Sequence, residues 1–255
     1  ADKHNLILFE DSADTLGGTI GDKSSGAYTD MSITSFYGSH VINCAGNGGM
    51  LCVRESEHFE RGKLLRSWGR SSSLFLESEA IENRFNVEVD GIPYDSKFIF
   101  DEPGYNLEPS EMGAAFGLVQ LDKLDHNISE RERNFGEMVD FFRQYEEWFV
   151  LPKQLPNSRT GWLAVALTIR DDAPFKSPEM QIFLEKRNIQ TRTVFTGNIL
   201  RQPGFKNIER KESGSGYAEA DKVMRGGMLL ACHHGLTRPM LDHVKEQVTE
   251  FLSNY

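Results

Sequence analysis

Two groups of residues near the start of the chain have the types and spacing to do chemistry. The first is Glu10-Asp11-Ser12-Ala13-Asp14, which closes a short apolar run at residues 6–10 that predicts a buried strand. A carboxylate at the C-terminal end of such a strand lies where open α/β sheets bind ligands. Asp-Ser-Ala-Asp is also ordinary turn and cap chemistry, and on its own that is the commoner use. The second group is Ser35-Phe36-Tyr37-Gly38-Ser39-His40, followed by Gly46-Asn47-Gly48-Gly49. A hydroxyl at a strand end, beside the backbone amides of a glycine-rich turn, can hold a phosphate. His40 can take or give a proton, since imidazole titrates at about pH 6.5. A lone loop histidine is more commonly a surface residue or one satisfied inside a core.

The elements that must position these residues alternate between α and β signals. Strands are expected at residues 31–36 and 50–53 on either side of the glycine-rich turn, with a loop over 17–26 and a helix over 55–67. Residues 69–105 carry little periodicity. A structureless stretch of that length is unusual in a compact domain and points to function or an interface. Ser110 is placed to cap a helix, and Met112, Ala115, Phe116, Val119 and Leu121 are expected to be its buried face. Beyond it the pattern predicts helix 129–149, strand 162–169, helix 178–186, strand 191–195, helix 218–225, strand 228–232 and helix 239–252. A break near residues 152–159 divides the chain into 1–150, part of a large sheet domain, and 151–255, a small C-terminal α/β domain. The opening strand has almost nothing before it, so its sheet is expected to lack partners supplied by a longer protein or by a second copy.

Composition bounds the classes. The 255 residues are 39% hydrophobic, enough for a core of ordinary size. No apolar run approaches the roughly 18–20 residues of a membrane span, and the start has no signal-peptide pattern. The cysteines, Cys44, Cys52 and Cys232, are few, odd in number and widely spaced. That predicts a reducing, cytoplasmic setting and no disulfide framework. A net charge of −10 argues against general nucleic-acid binding but leaves room for an anionic ligand on a local arginine cluster.

Taken together, the motifs resemble the DegT/DnrJ/EryC1/StrS sugar aminotransferase family. Asp11, Asp14, Ser35, His40 and the glycine turn stand in that family's order, with Asp11 29 residues before His40. The likeness continues through Ser67-Trp68-Gly69-Arg70, Gly104-Tyr105-Asn106-Leu107-Glu108-Pro109, Thr191-Arg192, Phe195-Thr196-Gly197-Asn198, Arg201-Gln202-Pro203 and Gly235-Leu236-Thr237. It implies a pyridoxal-phosphate fold of the aspartate aminotransferase superfamily (fold type I, α/β), with an incomplete large domain. In that family a lysine forms the cofactor Schiff base where this chain has His40. The branch of nucleotide-linked 4-keto-6-deoxyhexose 3-dehydrases is more similar still. Its members share Ser-Phe-Tyr before the histidine and an Asp three residues after the first.

The resemblance implies roles as follows. Asp11 would pair with the pyridine nitrogen and Asp14 would lie against the ring. Ser35 would bind the cofactor phosphate, and Tyr37 would line the site beside His40. Asn106 would reach the phosphate of a neighbouring subunit, which implies a homodimer with shared active sites. Arg192, Asn198 and Arg201 are expected on the nucleotide-sugar side, although arginines also serve widely as surface and interface charge. A histidine cannot form a stable imine, so the cofactor is expected to act as pyridoxamine 5'-phosphate. His40 would then be the base, with C3 deoxygenation as the outcome. Ser71-Ser72-Ser73 stands where the reductase-dependent members have cluster cysteines, so no iron–sulfur cluster and no metal are expected, and an amino donor such as glutamate is. The alternatives are an ordinary sugar aminotransferase using another lysine, such as Lys63, and a non-catalytic fragment that kept the fold. The missing N-terminal portion and Ser71-Ser72-Ser73 give the last of these weight.

Overall fold

The computed structural model describes residues 1–255. Its first half runs β1 (Phe9–Asp11), β2 (Thr19–Ile20), β3 (Lys23–Ser24), β4 (Met31–Ser35), β5 (Gly49–Val53), α1 (Ser56–Arg66), α2 (Ile81–Arg84), β6 (Val87–Val89), β7 (Ile92–Tyr94) and α3 (Glu111–Leu121). The rest is α4 (Leu124–Phe142), β8 (Phe149–Val150), β9 (Ser158–Arg159), β10 (Ala164–Ile169), α5 (Ser177–Glu185), β11 (Thr191–Arg192), α6 (Ala218–Gly226), β12 (Gly227–Ala231) and α7 (Arg238–Leu252). Two compact units result. One is Ala1–Leu16 with Asp22–Asp122; the other is Gly17–Gly21 with Lys123–Tyr255. The division falls between α3 and α4, whereas the sequence reading places it at 150/151. Helix α4 shares its core with β10, which sets it in the second unit.

In the first unit β1, β4 and β5 form a sheet in that order. β1 and β4 run parallel, with Asp11 opposite Ile33; β4 and β5 run antiparallel, with Ser35 opposite Gly49. Parallel pairing brings the C-terminal ends of β1 and β4, and therefore Asp11 and Ser35, to one edge of the sheet. The strand expected at residues 6–10 forms later and is not buried. Leu6, Ile7, Leu8 and Phe9 are all exposed, because β1 pairs only with β4 and its faces are uncovered. Val41 and Ile42, 1% and 3% exposed, are the buried apolar side chains of this unit.

Helix α3 starts as its sequence predicts, with the Ser110 hydroxyl accepting the Gly113 N–H at 3.4 Å. Its burial is the reverse of the expectation. Met112 is 83% exposed, and Ala115, Phe116, Val119 and Leu121 are also exposed. The residues turned inward are Gly113 and Gly117. A methyl group on Gly117 would come within 2.4 Å of Cys44 Sγ, and one on Gly113 within 3.0 Å of the Cys44 carbonyl oxygen. The helix thus approaches the loop after His40 through its smallest residues, and the bulky ones are left on the far side.

The unperiodic stretch is built from short pieces: 3₁₀ turns at Ser71–Leu74 and Ser96–Phe98, the single turn of α2, and the β6–β7 hairpin. The hairpin turns on Asp90-Gly91, with φ of 53° and 78°, the left-handed pair a tight hairpin requires. The loop expected over 17–26 also contains β2 and β3.

The second unit holds the main core. β11, β12, β10 and β8 form one antiparallel sheet in that order. Val165, Leu167 and Ile169 alternate inward from β10, as a half-covered strand should. They meet Phe135, Met138 and Phe142 of α4, Met180 and Leu184 of α5, and Leu241, Val248 and Phe251 of α7. Helix α4 starts earlier and ends earlier than the predicted 129–149. The sequence past Phe142 holds no Gly or Pro breaker before Pro152, yet a 3₁₀ turn intervenes and Phe149 pairs with Ile169 as a strand. The strand expected over 191–195 stops at Arg192, because the backbone turns left-handed at Phe195 and Gly197, with φ of 46° and 60°.

Candidate active site

His40 stands in the turn that leaves β4, and its ring is largely shielded. Its Nδ1 lies 2.6 Å from the carbonyl oxygen of Ala13, and its Nε2 lies 3.5 Å from Asp14 Oδ1. The Tyr37 ring meets it edge-on, with centroids 6.1 Å apart and planes at 83°. The turn is fixed by backbone bonds. His40 N–H donates to the Tyr37 carbonyl at 3.0 Å, Gly38 N–H to Gly46 at 3.2 Å, Phe36 N–H to Gly48 at 2.9 Å and Cys44 N–H to Phe36 at 3.0 Å. Gly48 has φ of 136°, a conformation open to glycine alone.

The ends of β1 and β4 are laced together. Ser12 donates its N–H and its hydroxyl to the Ile33 carbonyl, at 2.9 and 2.7 Å, and the Thr34 hydroxyl donates to the Ser12 carbonyl at 3.2 Å. This holds Asp11 at the sheet edge, where its Oδ1 accepts the Ala13 N–H at 3.1 Å and the carboxylate stays open to solvent. Ser35 ends β4. Its Oγ accepts the Tyr37 N–H at 3.2 Å, which leaves the hydroxyl proton to be donated. Asp11, Asp14, Ser35, Tyr37 and His40 are therefore gathered within one unit at one sheet edge.

Asn106 belongs to the same unit, in a strip of backbone paired with the end of α1. Trp68 N–H donates to Tyr105 at 2.7 Å and Leu107 N–H to Arg66 at 2.9 Å, with the Asn106 side chain exposed. Trp68-Gly69-Arg70 makes the adjoining turn, with the Arg70 guanidinium 4.3 Å from the Trp68 ring. Gly69 is obligatory there: its φ is 81°, and a Cβ would sit 1.7 Å from the Glu102 carbonyl oxygen. The hydroxyls of Ser71, Ser72 and Ser73 donate to the carbonyls of Ile99, Lys97 and Arg70, at 3.3, 3.4 and 2.7 Å. They are occupied with backbone and have the wrong donor chemistry for iron–sulfur ligation.

The remaining predicted residues lie in the second unit. Arg192 is exposed and borders a groove of about 610 Å³, lined also by Gln181, Ile182, Glu185, Lys186, Thr191 and Thr193. Asn198 and Arg201 both converge on Asp221. Asn198, 7% exposed, donates to Asp221 Oδ1 at 2.7 Å, and Arg201 grips both carboxylate oxygens at 2.5 and 2.6 Å. The Arg201 and Asn198 hydrogen bonds hold the Asp221 carboxyl far below the usual carboxylate range. Sequence reasoning missed Asp221 and the Ala13 carbonyl. The first lies 20 residues from Arg201 with no local pattern linking them, and a backbone oxygen leaves no trace in side-chain identity.

Residues 1–249 match the DegT/DnrJ/EryC1/StrS aminotransferase family, and the chain belongs to that family. Among its relatives, the lipopolysaccharide biosynthesis protein RfbH of Salmonella typhimurium is 31% identical over 254 residues, 98% of this chain and 58% of that protein. The dTDP-4-dehydro-2,6-dideoxy-D-glucose 3-dehydratase of Saccharopolyspora spinosa is 32% identical over 259 residues, 99% of this chain and 55% of that protein. The fold is shared with GDP-4-keto-6-deoxy-D-mannose-3-dehydratase of Escherichia coli, solved with hydrated PLP bound. The TM-score is 0.81 at 24% identity, over 96% of this chain and 61% of that one. The chain thus spans a little over half the length of the curated relatives it matches.

Proposed function

We propose that these residues form part of a pyridoxamine-phosphate-dependent 3-dehydratase acting on a nucleotide-linked 4-keto-6-deoxy sugar, in cell-surface polysaccharide or deoxysugar biosynthesis. One observation carries the reading: the sheet edge that gathers Asp11 and Ser35 presents a histidine, and no lysine occurs between Lys23 and Lys63. The residues present fit the cofactor. Asp11 keeps an open carboxylate for a protonated ring nitrogen, and Ser35 keeps a hydroxyl proton for a phosphate oxygen beside a glycine turn. When bound, the cofactor supplies an amine for the sugar C4 ketone and an electron sink that lets the C3 hydroxyl leave. Asp11 orients the ring and sustains its charge. His40 moves the proton at its imidazole nitrogen, and the Ala13 carbonyl and Asp14 hold that imidazole in place. Tyr37 and Arg192 serve the sugar nucleotide. Asn198 and Arg201 contribute to its binding by shaping, through Asp221, the loop that follows β11.

In this reading the amino donor is an amino acid such as glutamate, and Asn106 serves the phosphate of a second copy in a homodimer. The exposed apolar side chains of the first unit, from Leu6 through Leu121, support a covering partner of that kind. The test is a cofactor trap. The chain is incubated with pyridoxal phosphate, treated with borohydride and digested. The expected result is no lysine-bound cofactor and complete loss of pyridoxal phosphate on gel filtration. With pyridoxamine phosphate and a nucleotide 4-keto-6-deoxy sugar, mass spectrometry should find a product that has lost the C3 oxygen. A borohydride-stable label on a lysine would overturn the reading in favour of an ordinary aminotransferase.

A further inference from the structure

We infer that the Ala13 carbonyl pins His40 in the Nδ1–H tautomer, which makes Nε2 the nitrogen that accepts a proton and Asp14 the counter-ion that meets it. The two contacts are unequal, and the inequality decides the matter. At 2.6 Å, Nδ1 and the Ala13 oxygen are closer than the usual N–H···O separation of about 2.9 Å. A carbonyl oxygen only accepts, and a neutral imidazole has one donor nitrogen and one acceptor nitrogen. If Nδ1 carried its lone pair, two lone pairs would face each other across that gap. The proton therefore resides on Nδ1, donated to Ala13.

Nε2 is left with its lone pair. While the ring is neutral, the Nε2 lone pair and the Asp14 carboxylate share no proton across their 3.5 Å separation; a proton on Nε2 turns that separation into an ion pair. The charged or titratable groups beside the ring are Asp14 and Tyr37. On proton uptake from a carbon acid, the lone pair of Nε2 forms the new N–H bond and the electron pair of the broken C–H bond stays with the substrate side. The imidazolium then donates from Nδ1 to Ala13 and from Nε2 toward the Asp14 carboxylate. Asp14 is thus a positioning residue acting through His40. The use made of Nε2 rests on the function proposed above. The tautomer does not, so the two can fail separately.

The experiment is a two-bond 15N–1H correlation of the histidine rings in the full chain, 15N-labelled at histidine, at about pH 8, above the ordinary imidazole range. His40 is assigned by the pattern that vanishes in His40→Asn. The expected pattern has a protonated-type Nδ1 and an unprotonated-type Nε2, and it should persist in Asp14→Asn, because the Ala13 carbonyl is untouched. The idea is overturned by an Nε2–H tautomer, by averaging between the two tautomers, by an imidazolium at that pH, or by a switch of tautomer in Asp14→Asn. A second measurement is the Nε2–H proton resonance of His40 at about pH 5, between the ordinary carboxylate and imidazole ranges. Asp14→Asn should move that resonance, whereas an unmoved one would remove Asp14 as counter-ion.

Discussion

At the scale of single residues, the chemistry proposed depends on where His40 is held. A general base typically contributes about 10²–10⁴-fold to a rate. His40→Asn should therefore lower C3 deoxygenation by about that factor while pyridoxamine phosphate still binds, since Asp11 and Ser35 keep their places. Equilibrium dialysis of the cofactor alongside single-turnover product analysis separates the two effects, and lost cofactor affinity with unchanged chemistry would count against the assignment. A second expectation concerns Asp221. Its folded carboxyl titrates below the unfolded value of about 4, held there first by Arg201 and then by Asn198. A depressed acid stabilises the fold above the unfolded value and loses that contribution only as pH falls through the lower folded one. The Asn198–Asp221–Arg201 cluster should thus persist from pH 7 down to about 4. The amide resonance of Leu200, which donates to the Asn198 side chain at 3.1 Å, should hold its position over that range and shift in Asp221→Asn.

At the scale of elements, the site depends on how closely α3 approaches the loop after His40. A Cβ on Gly117 would collide with Cys44 Sγ, and overpacking of this kind costs about 1–3 kcal/mol. Gly117→Ala should destabilise the first unit by roughly the lower part of that range, since alanine recovers up to about 1 kcal/mol of helix propensity. Removing the sulfur in Cys44→Ala should relieve much of the loss. Urea unfolding of the two single variants and the double variant gives the coupling, and simple additivity would mean that the contact is not what the glycine protects. The same element shows where periodicity misleads. An apolar stripe on α3 reads as a core face, but its spacing cannot say whether a partner layer lies against it or whether two glycines opposite form the closer contact. Helices α5 and α7 and strands β10 and β12 were legible because each presents a covered apolar face, whereas β4 and β5 were legible as short apolar runs on either side of the glycine-rich turn although β5 is exposed. Helix α4 ends before the predicted bound, and Phe149 is instead buried in the core as a strand residue paired with Ile169, a partner 20 residues away that local periodicity does not reveal.

At the scale of the whole molecule, the two units differ in kind. The second buries an aromatic and aliphatic core between its sheet and α4, α5 and α7, whereas the first buries little beyond Val41 and Ile42. A chain that leaves Phe75, Leu76, Phe85, Ile92, Phe100 and Met112 in water exposes far more apolar surface than scattered single residues would. Self-association is the expected outcome. Light scattering coupled to gel filtration should give a mass above the monomer's 28.9 kDa, and a monodisperse monomer at micromolar concentration would remove the support for a homodimer. No helix is long and apolar enough to cross a membrane.

By itself the sequence determined the family, through motifs whose order survives along nearly the whole chain, and it set a histidine, His40, 29 residues after Asp11. Those are matters of residue type and spacing, and both are written in the chain. Only the tertiary structure decided that β1 is open rather than buried, that α3 turns its glycines inward, and that Asn198 and Arg201 are bound to Asp221. It also decided that the His40 ring is pinned by a backbone oxygen. Each of these depends on which atoms meet across long separations in sequence, and on backbone groups that are the same in every residue, so no reading of side-chain identity could supply them.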